Sequence, residues 1–94
     1  MDQVKIVVFV PKTHADIVRQ AMGDAGAGKG RFLPLEGAHP AIGSVGKMEE
    51  VEEERIECEC GRSKAKEVIS AMRKVHPYEE VAFDIYPLIS EEEL

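Results

Sequence analysis

The stretch ERIECECGRSKAKEVISAMRKVHPYEEVAFDIYP, residues 54–87, changes its hydrophobic period twice. Ile56, Cys58 and Cys60 alternate with Arg55, Glu57 and Glu59. A period of two predicts a half-buried antiparallel strand with an acidic, wet outer face. Ala65, Val68, Ile69, Met72 and Val75 then recur at the spacing of a helical stripe. Ser63 is placed to cap that helix, and Arg73 and Lys74 complement the negative end of its dipole. His76-Pro77 stops it, because a residue before proline is pushed out of the helical region. Val81, Phe83 and Ile85 alternate again with Ala82, Asp84 and Tyr86 until Pro87. The stretch reads strand, helix, strand.

Upstream the same order begins. Residues 4–10, VKIVVFV, are β-branched and almost continuously apolar, the pattern of a strand in the middle of a sheet, and Pro11 closes it. Thr13 with Asp16 three residues on predicts a capped helix start. Ile17, Val18, Ala21, Met22 and Ala25 follow as the expected apolar stripe, and Gly26 stands where a left-handed C-cap glycine belongs. Residues 26–46 are rich in glycine and proline, which leaves only a short strand expected at Arg31-Phe32-Leu33, with Pro34 favouring an edge. The acidic run 49–54 reads as a solvated edge.

Ninety-four residues fit one domain, expected over 1–89, with an acidic flexible tail at 90–94. Two helices that must both cover an antiparallel sheet make an α+β, ferredoxin-like β-α-β-β-α-β sandwich. Its helices lie on one face, and its second strand is expected to be short or missing. The net charge of −6, without a basic cluster, argues against nucleic-acid binding, which needs Lys and Arg to neutralise phosphate. The longest apolar run is far too short to span a bilayer, and the N-terminus lacks the pattern of a signal peptide, so the cytoplasm is the expected location. Cys58 and Cys60 on one strand face sit about 6.5–7 Å apart, at the limit for an unstrained disulfide, and read as reduced core thiols.

One glycine run invites a nucleotide reading. Residues 23–30, GDAGAGKG, carry most of the phosphate-loop signature. Position 30 is glycine rather than Ser or Thr, and the run closes a helix where a phosphate loop opens one. It reads as a tight chain reversal.

The segments KIVVFVP (5–11), PLEGAHPAIGSVGKMEEVEEERIE (34–57) and HPYEEVAFDIYPL (76–88) together resemble one family, the ferredoxin-like domain inserted in NIF3-like (YqfO) proteins and also found alone. The resemblance covers nearly the whole chain and extends distantly to CutA and PII-like proteins, CutA sharing a similar HPYE segment. In the family a longer segment follows the AGAG stretch; here the passage from Gly26 to Arg31 is short, so an open edge on the neighbouring strand is expected. The resemblance implies a non-enzymatic, oligomeric binding or regulatory module, by analogy a trimer, with a NIF3-like protein as a candidate partner. The two-metal centre of full-length NIF3-like proteins belongs to the host domain. The alternative is a CutA-like protein of divalent metal or copper tolerance, motivated by Cys58, Cys60, His76 and the acidic edge.

Two clusters are candidate ligand sites. His76, Tyr78 and Glu79 place an imidazole beside a carboxylate and a phenol, a set able to bind a ligand or exchange a proton. The same residues also suit a structural turn, with His76 donating to the last helix carbonyls and Tyr78 sealing the core edge. Glu36 and His39 place a second carboxylate and imidazole on a loop. The three histidines lack the spacing of a zinc site. No residue is assigned as catalytic or as a metal ligand, and no cofactor is expected.

Overall fold

The computed structural model describes the backbone of residues 3–35 and 52–94, and the side chains over 3–28 and 52–94. Four strands form one sheet: β1 (Gln3–Pro11), β2 (Gly28–Leu35), β3 (Glu53–Gly61) and β4 (Phe83–Pro87). Their spatial order is β2-β3-β1-β4, and each neighbouring pair is antiparallel. Helix α1 (Ala15–Asp24) links β1 to β2, and α2 (Ala65–Val75) links β3 to β4. This is the ferredoxin-like arrangement.

Strand β1 lies between β3 and β4, its core face wholly apolar and its outer face carrying Val7 and Phe9 beside Lys5. Val4, Ile6, Val8 and Val10 join Ile56, Cys58 and Cys60 of β3 in the core under the helices. Ala15, Val18 and Met22 of α1 and Ala65, Val68 and Met72 of α2 cover them. Each large aliphatic side chain sealed here stabilises the fold by roughly 1.5–3 kcal/mol. Val7 points to the opposite face yet is only 1% exposed. The neighbouring Glu57, held by Lys5 Nζ at 3.8 Å and Arg55 at 2.8 Å, belongs to the ionic surface of that face.

The sheet differs from expectation at β2. That strand is neither missing nor reduced to three residues: it runs for eight, Gly28–Leu35, and pairs with β3 from Glu59 to Glu53. A register irregularity between Gly28 and Gly30 lets the strand start directly after the glycine turn. As a result β3 has no open edge, and the outer strands of the described sheet are β2 and β4.

The helix starts also differ. Neither Thr13 nor Ser63 acts as a side-chain cap; the caps are His14 and Lys64, without side-chain bonds. Each strand instead runs into a 3-10 turn, Lys12–His14 or Arg62–Lys64. The carbonyl of Lys12 or Arg62 accepts from the N–H of Ala15 or Ala65, satisfying a donor that a side chain would otherwise serve. Thr13 Oγ1 meets His14 Nδ1 at 2.8 Å, and Asp16 pairs with Arg19.

Ile17, expected in the core stripe, is 53% exposed. Two helices share the sheet, so α1 buries a narrow stripe and its flank meets water. The glycine turn does follow expectation. Gly26 has φ +118, the N–H of Ala27 reaches Met22 O at 3.0 Å, and that of Gly26 reaches Gly23 O at 3.1 Å. These are the two bonds of a Schellman motif. Residues 90–94 are exposed and carry a 3-10 turn, Glu91–Glu93, capped by Ser90. Hydrogen bonds from the Ser90 N–H and hydroxyl hold the Glu93 carboxyl below its usual range.

Candidate functional site

The HPYEE turn sits where β4 falls short of β1. β4 pairs with β1 over Val4 to Val8. Beyond that point Phe9 still has a backbone N–H and C=O to satisfy. Its N–H donates to Ala82 O at 3.1 Å, and its carbonyl accepts from His76 Nε2 at 2.8 Å. A carbonyl only accepts, so Nε2 carries the proton. Nδ1 accepts the Tyr78 N–H at 3.1 Å and is therefore bare.

Helix α2 delivers His76 to this position. The His76 N–H closes the helix onto Met72 O at 3.0 Å, and its backbone turns extended (φ −73, ψ 136) ahead of Pro77. His76 is 8% exposed, the one buried polar side chain among the described residues. Both of its ring nitrogens are engaged by backbone. The imidazole therefore does for Phe9 what one more residue of β4 would do. The donation goes to β1 and not to the last helix carbonyls.

Tyr78 packs on the imidazole, ring centroids 5.0 Å apart at 58°. Burial first, and the nearby Glu53 second, push its phenol above the ordinary tyrosine value. Its hydroxyl is shielded and has no hydrogen-bond partner among the described residues. Glu79 is exposed. Glu36 and His39, the other ligand candidates, lie outside the described residues.

Cys58 and Cys60 are free thiols, 4% and 3% exposed, on the core face of β3. Burial, with the neighbouring Cys60 thiol second, pushes Cys58 up to about 11, and burial raises Cys60 as well. Both shifts favour the protonated thiol over the thiolate that metals and electrophiles need. Among the described residues no three His, Cys, Asp or Glu side chains are grouped to hold a metal ion. None of their helices is long and apolar enough to cross a membrane.

Sequence alone assigns Arg73 and Lys74 only a dipole role. The structure places them with Lys66 along a groove between α2 and β4, floored by Ile69, Phe83 and Ile85. Arg73 lies over the Phe83 ring at 5.1 Å. The readable signal was spacing: Lys66, Ile69 and Arg73 share one helix face.

No family model matches the chain. A "GTP cyclohydrolase 1 type 2 homolog" of Halalkalibacterium halodurans is 47% identical over 103 residues, covering 95% of this chain and 28% of that protein. The aligned length exceeds the 94 residues here, so this chain is shorter than the matched segment. The solved structure of a Bacillus cereus protein related to NIF3 superposes with TM-score 0.80 at 44% identity, covering 95% of this chain and 26% of that one. The chain thus spans about a quarter of the length of these relatives. At the level of fold alone, CutA from Xylella fastidiosa superposes with TM-score 0.71 at 20% identity, over 99% of this chain and 90% of CutA. The B. subtilis GlnK–ATP complex does so with 0.67 at 12%, over 90% and 80%.

Proposed function

The chain is homologous to one ferredoxin-like segment of NIF3-related proteins, and from that premise we propose that it is a non-enzymatic binding or regulatory module that works through its surfaces and by self-association. The observation that carries this reading is the double commitment of His76. An imidazole whose Nε2–H and Nδ1 both serve backbone groups must first break the turn before it takes a proton from a substrate or ligates a metal. The buried thiols point the same way. In this reading a ligand meets the turn through Glu79 and the edge of Tyr78, and not through the ring of His76. In this reading the activity for which the relatives are named belongs to the parts of those chains that this one does not match, about three quarters of their length. Self-association, by analogy as a trimer, is supported by the outer strand β4, which is exposed over most of its length, since exposed strand edges are commonly covered by another chain.

Two measurements on the purified chain test the proposal. Light scattering coupled to size exclusion at tens of micromolar is expected to show a discrete oligomer; a clean monomer contradicts self-association. A nucleotide-hydrolysis assay is expected to show no turnover above buffer. Activity that survives repurification, or stoichiometric copper or zinc abolished by His76→Ala, contradicts the non-enzymatic or non-metal reading respectively.

A further inference from the structure

The groove between α2 and β4 is basic on a protein of net charge −6. Lys66, Arg73 and Lys74 form its rim, and among the described residues Ser70 is its other polar residue and no acidic side chain lines it. None of the ion pairs among the described residues uses these three cations. Its floor is apolar: Ile69 and Phe83 are half-buried, and Ile85 is 47% exposed. The groove is therefore shaped for a chain segment that is acidic and also carries aliphatic side chains.

This chain presents such a segment. Residues 89–94, ISEEEL, place three consecutive glutamates between Ile89 and Leu94, which are 67% and 94% exposed. The segment leaves β4 beside Gln3, where the Leu88 N–H donates to Gln3 O. None of its residues lines the groove of its own copy. Lys66 and Lys74 lie about 12 Å apart along the helix axis, and residues 89–94, keeping the 3-10 turn Glu91–Glu93, reach over roughly 13 Å, so the lengths match.

We propose that the ISEEEL segment of one copy docks in the Lys66–Arg73–Lys74 groove of a second copy, with Ile89 or Leu94 covering Ile85 and with Glu91 and Glu92 meeting the basic rim. The inference rests on the self-association proposed above and names the surfaces that produce it. Exchange in both directions seats two segments for each pair of copies. Because the rim is exposed, the contact is screened by salt.

A charge swap between copies tests it. The variant Glu91→Lys/Glu92→Lys carries a basic tail and a basic groove, and Arg73→Glu/Lys74→Glu carries an acidic tail and an acidic groove. In sedimentation velocity each variant alone is expected to associate on the order of tenfold more weakly than the wild type, or worse. An equimolar mixture is expected to restore association, because each tail then finds a complementary groove on the other copy. Restoration also shows that both variants are folded. Variants that assemble like the wild type overturn this contact and leave self-association standing. A mixture that fails to restore overturns docking between copies. A wild type that is itself monomeric removes the proposed self-association along with this inference.

Discussion

The two halves of the molecule pack their helices in the same way and leave them in different ways. Ala15, Val18 and Met22 of the first helix recur fifty residues on as Ala65, Val68 and Met72 of the second, and all six join one core with Ile6, Val8, Val10, Ile56, Cys58 and Cys60. Each half enters its helix through a 3-10 turn. The carbonyls of Met22 and Met72 both accept from the departing chain, yet the donors differ: Ala27 after a glycine at φ +118, and His76 before a proline. The first exit uses backbone freedom alone, so β2 begins at once. The second uses a buried side chain to reach across to Phe9. The histidine is thus legible as the second half's substitute for a glycine turn and a longer strand.

Core positions should show the likeness most strongly. Met22→Ala and Met72→Ala are each expected to cost about 2–5 kcal/mol in denaturant unfolding, with the two values close to one another. A cost confined to one half would break the comparison. At the exits the halves should part. His76→Ala leaves the Phe9 carbonyl without its donor and is expected to cost about 1–3 kcal/mol. His76→Gln, whose amide can donate to the same carbonyl, should recover part of that, and hydrogen exchange at the Phe9 and Tyr78 amides should follow the same order. Gly26→Ala is expected to cost about 1–2 kcal/mol from backbone strain. A Cβ there meets only the Lys64 side chain at an ordinary 3.6 Å, so the cost is not a clash.

Much of this was readable from local pattern. Alternation located β3 and β4, and the apolar spacing located both helices. What was missed depended on contacts distant in sequence or on geometry between elements. Ile17 has the right period for the core, but its counterpart in the second helix is Glu67, and both lie on the flank that water reaches. The caps at Thr13 and Ser63 had the right chemistry, and the 3-10 turns made them unnecessary. β2 contains three residues of poor strand propensity, Gly28, Gly30 and Pro34, and its extent is set by pairing with β3. The His76–Phe9 bond joins the far end of one half to the strand of the other, which no local period encodes.

The smallest expected effect distinguishes the strands. Cys58 stands where the first half has Val8, and its thiol is held protonated up to about 11 in the fold against 9.0 for an ordinary thiol. The raised value means that the folded chain keeps a proton which the unfolded chain loses. This contribution is therefore full below pH 9 and disappears as pH rises toward 11. Subtracting the pH profile of Cys58→Val from that of the wild type isolates the contribution, and a difference that is flat from pH 8 to 11 would show that the thiol is not buried as described.

The account depends most on the state of one ring. Nitrogen-15 NMR of histidine-labelled protein reports which nitrogen of His76 carries the proton and whether either is free. The expected spectrum shows the neutral ring protonated at Nε2, with Nδ1 bare, and unchanged when one equivalent of zinc is added. A proton on Nδ1, or a His76 signal that moves with zinc, would contradict the assignment of this histidine to the fold.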